Sequence, residues 1–88
     1  MKILIVEDDF VSRKMINHIL LPLGECDMAA NGRESLEAFQ MAFEEGKPYA
    51  LVCLDIMMPD MDGYTVLKVM RKLEVQKNSS SFHPEIQI

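Results

Sequence analysis

Residues 2–9 read Lys2-Ile-Leu-Ile-Val-Glu-Asp-Asp9, a continuous apolar run that ends abruptly in three acids. A run of this kind, rich in β-branched residues and without alternation, is typical of a strand covered on both faces of a parallel sheet. A second run, Tyr49–Leu54, has the same character and also ends in an acid, Asp55. The sequence therefore predicts two buried parallel strands, each followed by carboxylates.

Helical patterns separate these strands. From Phe10 onward, apolar residues recur every three or four positions until Pro22 and Gly24, and a second helical pattern runs from Glu34 to Glu45. Cys26–Ala30 is a weaker strand between them. A third helix follows Gly63, with an inward face formed by Val66, Leu67, Met70 and Leu73. This strand and helix alternation predicts an α/β fold with a parallel sheet.

The length predicts one domain. With 88 residues, the chain is too short for two cores. We expect a βαβαβα core over residues 1–76, a flexible polar linker over 77–84, and the start of a fourth strand at 85–88.

Charge and cysteine content narrow the function classes. Nine basic and 14 acidic residues give a net charge of −5, which disfavours nonspecific binding to nucleic acid or anionic lipid. Neither a membrane-spanning run nor a signal peptide is visible. Two cysteines, Cys26 and Cys53, are too few for a disulfide scaffold or a tetrahedral metal site. We therefore expect a reduced, cytoplasmic protein.

The acids after the strands predict a site. Parallel strands end at one edge of the sheet, so a strand order of 2-1-3 would bring Glu7 and Asp8 close to Asp55. Carboxylates this close repel one another unless a proton or a cation intervenes. Oxygen ligands with open positions suit Mg²⁺, and a carboxylate beside that ion is a nucleophile for phosphoryl donors. The alternative is solvated acids that cap the following helices.

Three segments together resemble the receiver domain of two-component response regulators, a CheY-like family. They are Lys2–Asp9, the pair Asn31-Gly32, and Leu54-Asp-Ile-Met-Met-Pro-Asp-Met-Asp-Gly63. The resemblance implies a flavodoxin-like fold and a phosphorelay function. It implies that Asp55 accepts a phosphoryl group from a histidine kinase or phosphotransfer domain, with Mg²⁺ held by Glu7, Asp8, Asp55 and the backbone carbonyl of Met57. Pro59 and Gly63 match loop positions of the family.

The resemblance also predicts what this chain lacks. Five βα units would need about 125 residues, so the fold is expected to be incomplete, stopping within strand 4. The family's Ser or Thr after strand 4 and its Lys after strand 5 have no counterpart here. An uncovered sheet edge or apolar face seeks a partner. We therefore expect a homodimer, formed by edge pairing or by exchange of Glu85–Ile88, or a partner that supplies the missing part.

The sequence leaves three candidate functions open. The first is a phosphoacceptor in signalling, which is not a turnover enzyme. The second is a truncated or pseudo-receiver that acts as a dimerisation or interaction module without productive phosphorylation. The third, a Mg²⁺-dependent phosphohydrolase, lacks a second Asp or a catalytic Lys at a suitable place.

Overall fold

A computed structural model of the chain describes residues 1–55, 58, 61–78 and 85–87, with side chains up to residue 75. Met57 and Pro59, both named above, lie outside the described residues. The strands are β1 (Lys2–Val6), β2 (Glu25–Ala29), β3 (Leu51–Leu54) and β4 (Glu85–Gln87). The α-helices are α1 (Phe10–Leu20), α2 (Gly32–Glu44) and α3 (Gly63–Asn78). Within these ranges, no helix is sufficiently long and apolar to cross a membrane.

The sheet is parallel, in the order β2-β1-β3-β4. The predicted order 2-1-3 is therefore confirmed, and the predicted fourth strand pairs with β3, with Val52 opposite Ile86. The chain moves from β1 outward to β2 and then back across β1 to β3. Crossovers between parallel strands are right-handed as a rule, which places α1 on one face of the sheet and α2 on the other.

The two faces of the sheet are covered unequally. On the α2 and α3 face, Leu4 and Val6 pack with Phe39, Val66 and Met70 in one buried cluster. On the α1 face, Ile3 and Ile5 of β1 are fully buried. In β3, Val52 and Leu54 are buried while the alternate residues Leu51 and Cys53 are only half-buried. The sheet is thus sealed around β1 and partly open on one side of β3.

Local hydrogen bonds set boundaries that differ slightly from the predicted ones. Strand β2 begins at Glu25 rather than Cys26 because the Glu25 N–H donates to the Met1 carbonyl. It ends before Ala30 because the Ala30 N–H donates to the carboxylate of Glu34. Strand β3 begins later than predicted, since the ladder starts where the Ala50 N–H donates to Lys2.

Capping residues explain the helix limits. Asn31 accepts a hydrogen bond from the Glu34 N–H, so α2 begins at Gly32, two residues earlier than predicted. It ends one residue earlier than predicted, before Gly46, whose φ of 73° lies in the left-handed region that glycine favours. The helix α3 continues through Asn78, two residues into the predicted linker at 77–84. The rest of that linker lies outside the described residues and stays a prediction. Polar residues alone do not stop a helix, and the first breaker after Gly63 is Pro84.

A polar contact between Tyr49 and the outer strand β2 was not predicted. Tyr49 is 3% exposed, and its hydroxyl donates to Asp27 of β2 at 2.7 Å. The ammonium of Lys2 lies 4.8 Å from the centre of the Tyr49 ring and donates to the Lys47 carbonyl. These contacts join the starts of β1 and β3 to β2.

We predict that Phe39→Ala will lower the free energy of unfolding by about 3–5 kcal/mol. Phe39 is fully buried and packs edge-to-face on Phe43, with ring centres 5.3 Å apart. Met41→Ala on the same helix is the matched control, because Met41 is 55% exposed. Urea denaturation followed by circular dichroism measures both variants. Equal midpoints for the two variants would contradict the assignment of Phe39 to the core.

Candidate metal and phosphoacceptor site

Backbone pairing brings the acids to one place. The Glu7 N–H donates to Ala29 at 3.1 Å, and the Asp55 N–H donates to Val6 at 3.0 Å. Each bond extends a strand ladder by one residue, so Glu7 and Asp55 leave the sheet side by side. One carboxylate oxygen from each of Glu7, Asp8 and Asp55 lies within 4.8 Å of the other two. We call these three residues the acidic cluster.

The electrostatics of the acidic cluster indicate crowding. Partial burial raises the pKa of Glu7, and the charge of Asp55 and hydrogen bonds to Asp8 and Asp55 add to this effect. A hydrogen bond from the Asp9 N–H to Glu7 Oε1 at 3.1 Å acts in the opposite direction. A divalent cation would relieve this crowding, and the hard carboxylate oxygens fit such an ion. The acidic cluster could therefore hold a metal ion.

Asp9, the third acid of the run, is a helix cap and not a member of the acidic cluster. Its carboxylate accepts from the Ser12 N–H at 2.8 Å and caps α1. This hydrogen bond lowers the pKa of Asp9. The run Glu7-Asp8-Asp9 thus divides into two members of the acidic cluster and one helix cap. The capping alternative applies to Asp9, and the predicted convergence with Asp55 applies to Glu7 and Asp8.

The loop after β3 is anchored at its far end. Asp62 caps α3 by accepting from the Thr65 N–H at 3.0 Å, and this bond lowers the pKa of Asp62. Met58 is 7% exposed and belongs to the core. The predicted ligand Met57 lies in the part of this loop that is not described, so its role stays a prediction.

Gly32 supports the site by its lack of a side chain. A Cβ at this position would lie 2.9 Å from the Cβ of Met61 and 3.1 Å from Cγ2 of Val66. Asn31-Gly32 therefore caps α2 and lets it start close to α3. The sequence marks this pair as a break between elements but does not show which residues press against it.

Sequence reasoning missed one further contact of the site. Arg13 of α1 folds back so that its Nη1 donates to the backbone carbonyls of Glu7 and Asp8. An arginine four residues after the acids signals only a solvated helix position in the sequence. The contact depends on the angle at which α1 leaves the loop.

We predict that Asp55→Asn will stabilise the chain in the absence of divalent cations. Because folding raises the pKa of Glu7, protonated Glu7 favours the folded state. This contribution to stability is fully present at pH values below the ordinary pKa of 4.5. This contribution is lost as pH rises through the folded value. Removing the Asp55 charge should therefore raise the urea midpoint at neutral pH, and the gain should shrink at acid pH where Glu7 is protonated.

The matched control is Asp9→Asn, which removes an acid outside the acidic cluster. Asparagine caps helices about as well as aspartate, so this variant should leave the midpoint nearly unchanged. A neutral-pH midpoint for Asp55→Asn at or below that of the parent chain would contradict the crowding of these carboxylates.

The chain resembles proteins of known family. The response regulator receiver domain family matches residues 3–80. The probable transcriptional regulator ycf27 of Cyanophora paradoxa is 40% identical over 72 residues, 81% of this chain and 28% of the relative. Hybrid signal transduction histidine kinase B of Dictyostelium discoideum is 38% identical over 74 residues, 83% of this chain and 4% of the relative.

A solved structure agrees with these relatives. The receiver domain of the histidine kinase CKI1 from Arabidopsis thaliana, complexed with Mg²⁺ and BeF₃⁻, superposes with a TM-score of 0.83 at 29% identity. The match covers 97% of this chain and 62% of that one. The present chain thus spans less than two thirds of each of these three proteins. The fold, the acidic cluster and the family match agree, and the chain belongs to the response regulator receiver domain family.

Proposed function

We propose that this chain is the phosphoacceptor domain of a two-component phosphorelay and that Asp55 receives the phosphoryl group. The observation that carries the proposal is the convergence of Asp55 with Glu7 and Asp8 within 4.8 Å at the carboxyl edge of the sheet. The crystallised complex of the CKI1 receiver with Mg²⁺ and BeF₃⁻ supports Mg²⁺ as the cation here. Glu7, Asp8, Asp55 and the Met57 carbonyl would hold it.

The proposed reaction is a single displacement at phosphorus. A carboxylate oxygen of Asp55 forms a bond to the phosphorus of a phosphohistidine, and the bond from phosphorus to the imidazole nitrogen breaks. The imidazole keeps the electron pair and takes up a proton from water, and Asp55 becomes an acyl phosphate. Mg²⁺, when bound, neutralises negative charge on the phosphoryl oxygens. Glu7 and Asp8 would hold that ion beside the nucleophile.

The proposed domain is a signalling module and not a turnover enzyme, because its own Asp55 is the acceptor. Its partner would be a histidine kinase or a phosphotransfer domain, and its setting cytoplasmic. The relatives named as histidine kinases support this class of partner. The net charge of −5 supports a role without direct nucleic acid or membrane binding.

An exposed part of α1 is the candidate partner surface. Phe10, Val11, Met15 and Ile19 are 60–66% exposed and lie on one side of the helix that begins beside the acidic cluster. We call these four residues the α1 stripe. The apolar residues of α1 thus form two rows at helical spacing. Ile16 and Leu20 form a half-buried row, and the α1 stripe forms an exposed one. Exposed apolar groups of this kind are typical of protein interfaces.

We predict that acetyl phosphate and Mg²⁺ will add one phosphoryl group to the chain. Intact mass spectrometry measures the gain, and hydroxylamine should remove it because an acyl phosphate is labile to that nucleophile. Asp55→Asn should abolish the gain, since the amide cannot act as the nucleophile. Omitting Mg²⁺ should abolish it as well.

Asp62→Asn is the matched control, because Asp62 lies close in sequence but caps α3. This variant should be phosphorylated like the parent chain. No mass gain at any Mg²⁺ concentration would reject phosphoacceptance and favour an interaction module. Sustained phosphate release from a simple monoester would indicate a phosphohydrolase instead.

We propose homodimerisation as the second candidate function, on the observation that the three-residue strand β4 is the outermost on its side among the strands that the structure describes. An edge strand presents backbone groups that can pair with a second chain. The partly open side of β3, the strand that pairs with β4, adds apolar surface near this edge.

We predict a dimer in sedimentation velocity at micromolar concentration. Edge pairing, or exchange of Glu85–Ile88, involves the backbone of β4, so Met15→Glu on α1 should leave the dimer intact. A dimer that Met15→Glu dissociates would place the contact on the α1 stripe. A monodisperse monomer would contradict dimerisation by either route.

A further inference from the structure

The side chain of Arg13 connects the first helix to the acidic loop. Its Nη1 donates to the Glu7 carbonyl at 2.9 Å and to the Asp8 carbonyl at 3.4 Å. Its own backbone N–H donates to the Asp9 carbonyl at 2.9 Å in the first turn of α1. One residue therefore contacts the backbone of all three acids, while the carboxylates of two of them point into the acidic cluster.

The other hydrogen bonds of this loop show what Arg13 adds. The Glu7 N–H is held by β2, the Glu7 carboxylate by the Asp9 N–H, and the Asp9 carboxylate by the cap of α1. These bonds fix the two ends of the loop. Arg13 acts on the carbonyls between them, at Glu7 and Asp8, where a rotation of the peptide would swing the carboxylates away from Asp55.

We propose that Arg13 is a positioning residue for the cation site: its hydrogen bonds to the Glu7 and Asp8 carbonyls hold these residues in the geometry that binds Mg²⁺. This inference rests on the proposed function. Groups that orient metal ligands without touching the metal contribute about 10–100-fold to metal affinity. The contribution arises because the site does not have to be ordered when the ion binds.

A charge effect and a positioning role predict opposite changes in Mg²⁺ affinity when Arg13 is replaced. The guanidinium is positive, so by Coulomb's law it repels a divalent cation bound nearby. If Arg13 acted through its charge alone, removing it would tighten Mg²⁺ binding. If Arg13 positions the loop, removing it weakens Mg²⁺ binding in spite of the relieved repulsion. The sign of the change therefore separates the two roles.

Lys14 is a matched control on the same turn of the helix. Its ammonium lies 5.3 Å from the centre of the Phe10 ring, and the Arg13 guanidinium lies 5.6 Å from the same ring. Both residues thus carry one positive charge and contact the same aromatic side chain. Lys14 differs in its place, because it is exposed on the outer side of α1 beside Met15.

The experiment measures the Mg²⁺ dissociation constant of the full 88-residue chain by isothermal titration calorimetry at constant ionic strength. Arg13→Met should weaken binding by about tenfold. Arg13→Lys, which keeps the charge and one donor group, should give an intermediate value. Lys14→Met should leave the dissociation constant unchanged or slightly lower.

A second readout separates positioning from damage to the fold. The Mg²⁺ concentration that gives half-maximal phosphorylation by acetyl phosphate should rise in parallel with the dissociation constant. The maximal rate at saturating Mg²⁺ should stay within about twofold of the parent rate, because a positioned site and a disordered site are alike once the ion is bound. A merely structural role would lower the maximal rate together with the urea midpoint.

The outcomes distinguish this inference from the proposed function. Arg13→Met that binds Mg²⁺ as tightly as the parent chain or more tightly overturns the positioning role. If Arg13→Met does not fold, Arg13→Lys decides: weaker binding at an unchanged urea midpoint supports the role, and unchanged binding overturns it. A parent chain that neither binds Mg²⁺ nor is phosphorylated overturns the proposed function, and the positioning role with it.

Discussion

The parallel pairing of β1 between β2 and β3 is the constraint on which the rest of the molecule depends. It aligns Val6 with both Ala29 and Leu54, so the next residues, Glu7 and Asp55, leave the sheet at the same edge. The same pairing requires helical crossovers on opposite faces. The apolar core and the acidic cluster are therefore two consequences of one register. A shift of that register by one residue would exchange the buried side chains of β1 between the two faces of the sheet and move the acids apart.

Repulsion among the carboxylates of the acidic cluster destabilises the folded chain unless other interactions compensate for it. The structure shows several such interactions. Backbone hydrogen bonds anchor Glu7 and Asp55, Asp9 is used as a cap, and Arg13 contacts the carbonyls of the loop. Burial and neighbouring acids still raise the pKa of Glu7. These hydrogen bonds hold the loop in place, while its carboxylates retain the mutual repulsion that a cation would relieve.

Most of the acidic cluster was predictable because its residues directly follow strands, and the apolar composition of a short segment is sufficient to identify those strands. The buried strand character of 2–6 and 49–54, with acids directly after them, sufficed to predict the convergence of Glu7, Asp8 and Asp55. The contacts of Arg13, Gly32 and Tyr49 were not predictable. Each joins residues through angles between packed elements, and a one-dimensional pattern does not contain those angles. The limits of α2 and the end of α3 were misplaced for a related reason, since caps and breakers act through individual hydrogen bonds.

By itself, the sequence determined the order of strands and helices, the acids at the strand ends and the family to which they belong. Periodicity and residue type are local properties and survive without a fold. Only the tertiary structure decided which apolar row of α1 faces the sheet. Ile16 and Leu20 turn inward and the α1 stripe outward, although both rows have helical spacing. The choice is made by the crossover that sets α1 against β1 and β2, which is a property of the packed chain.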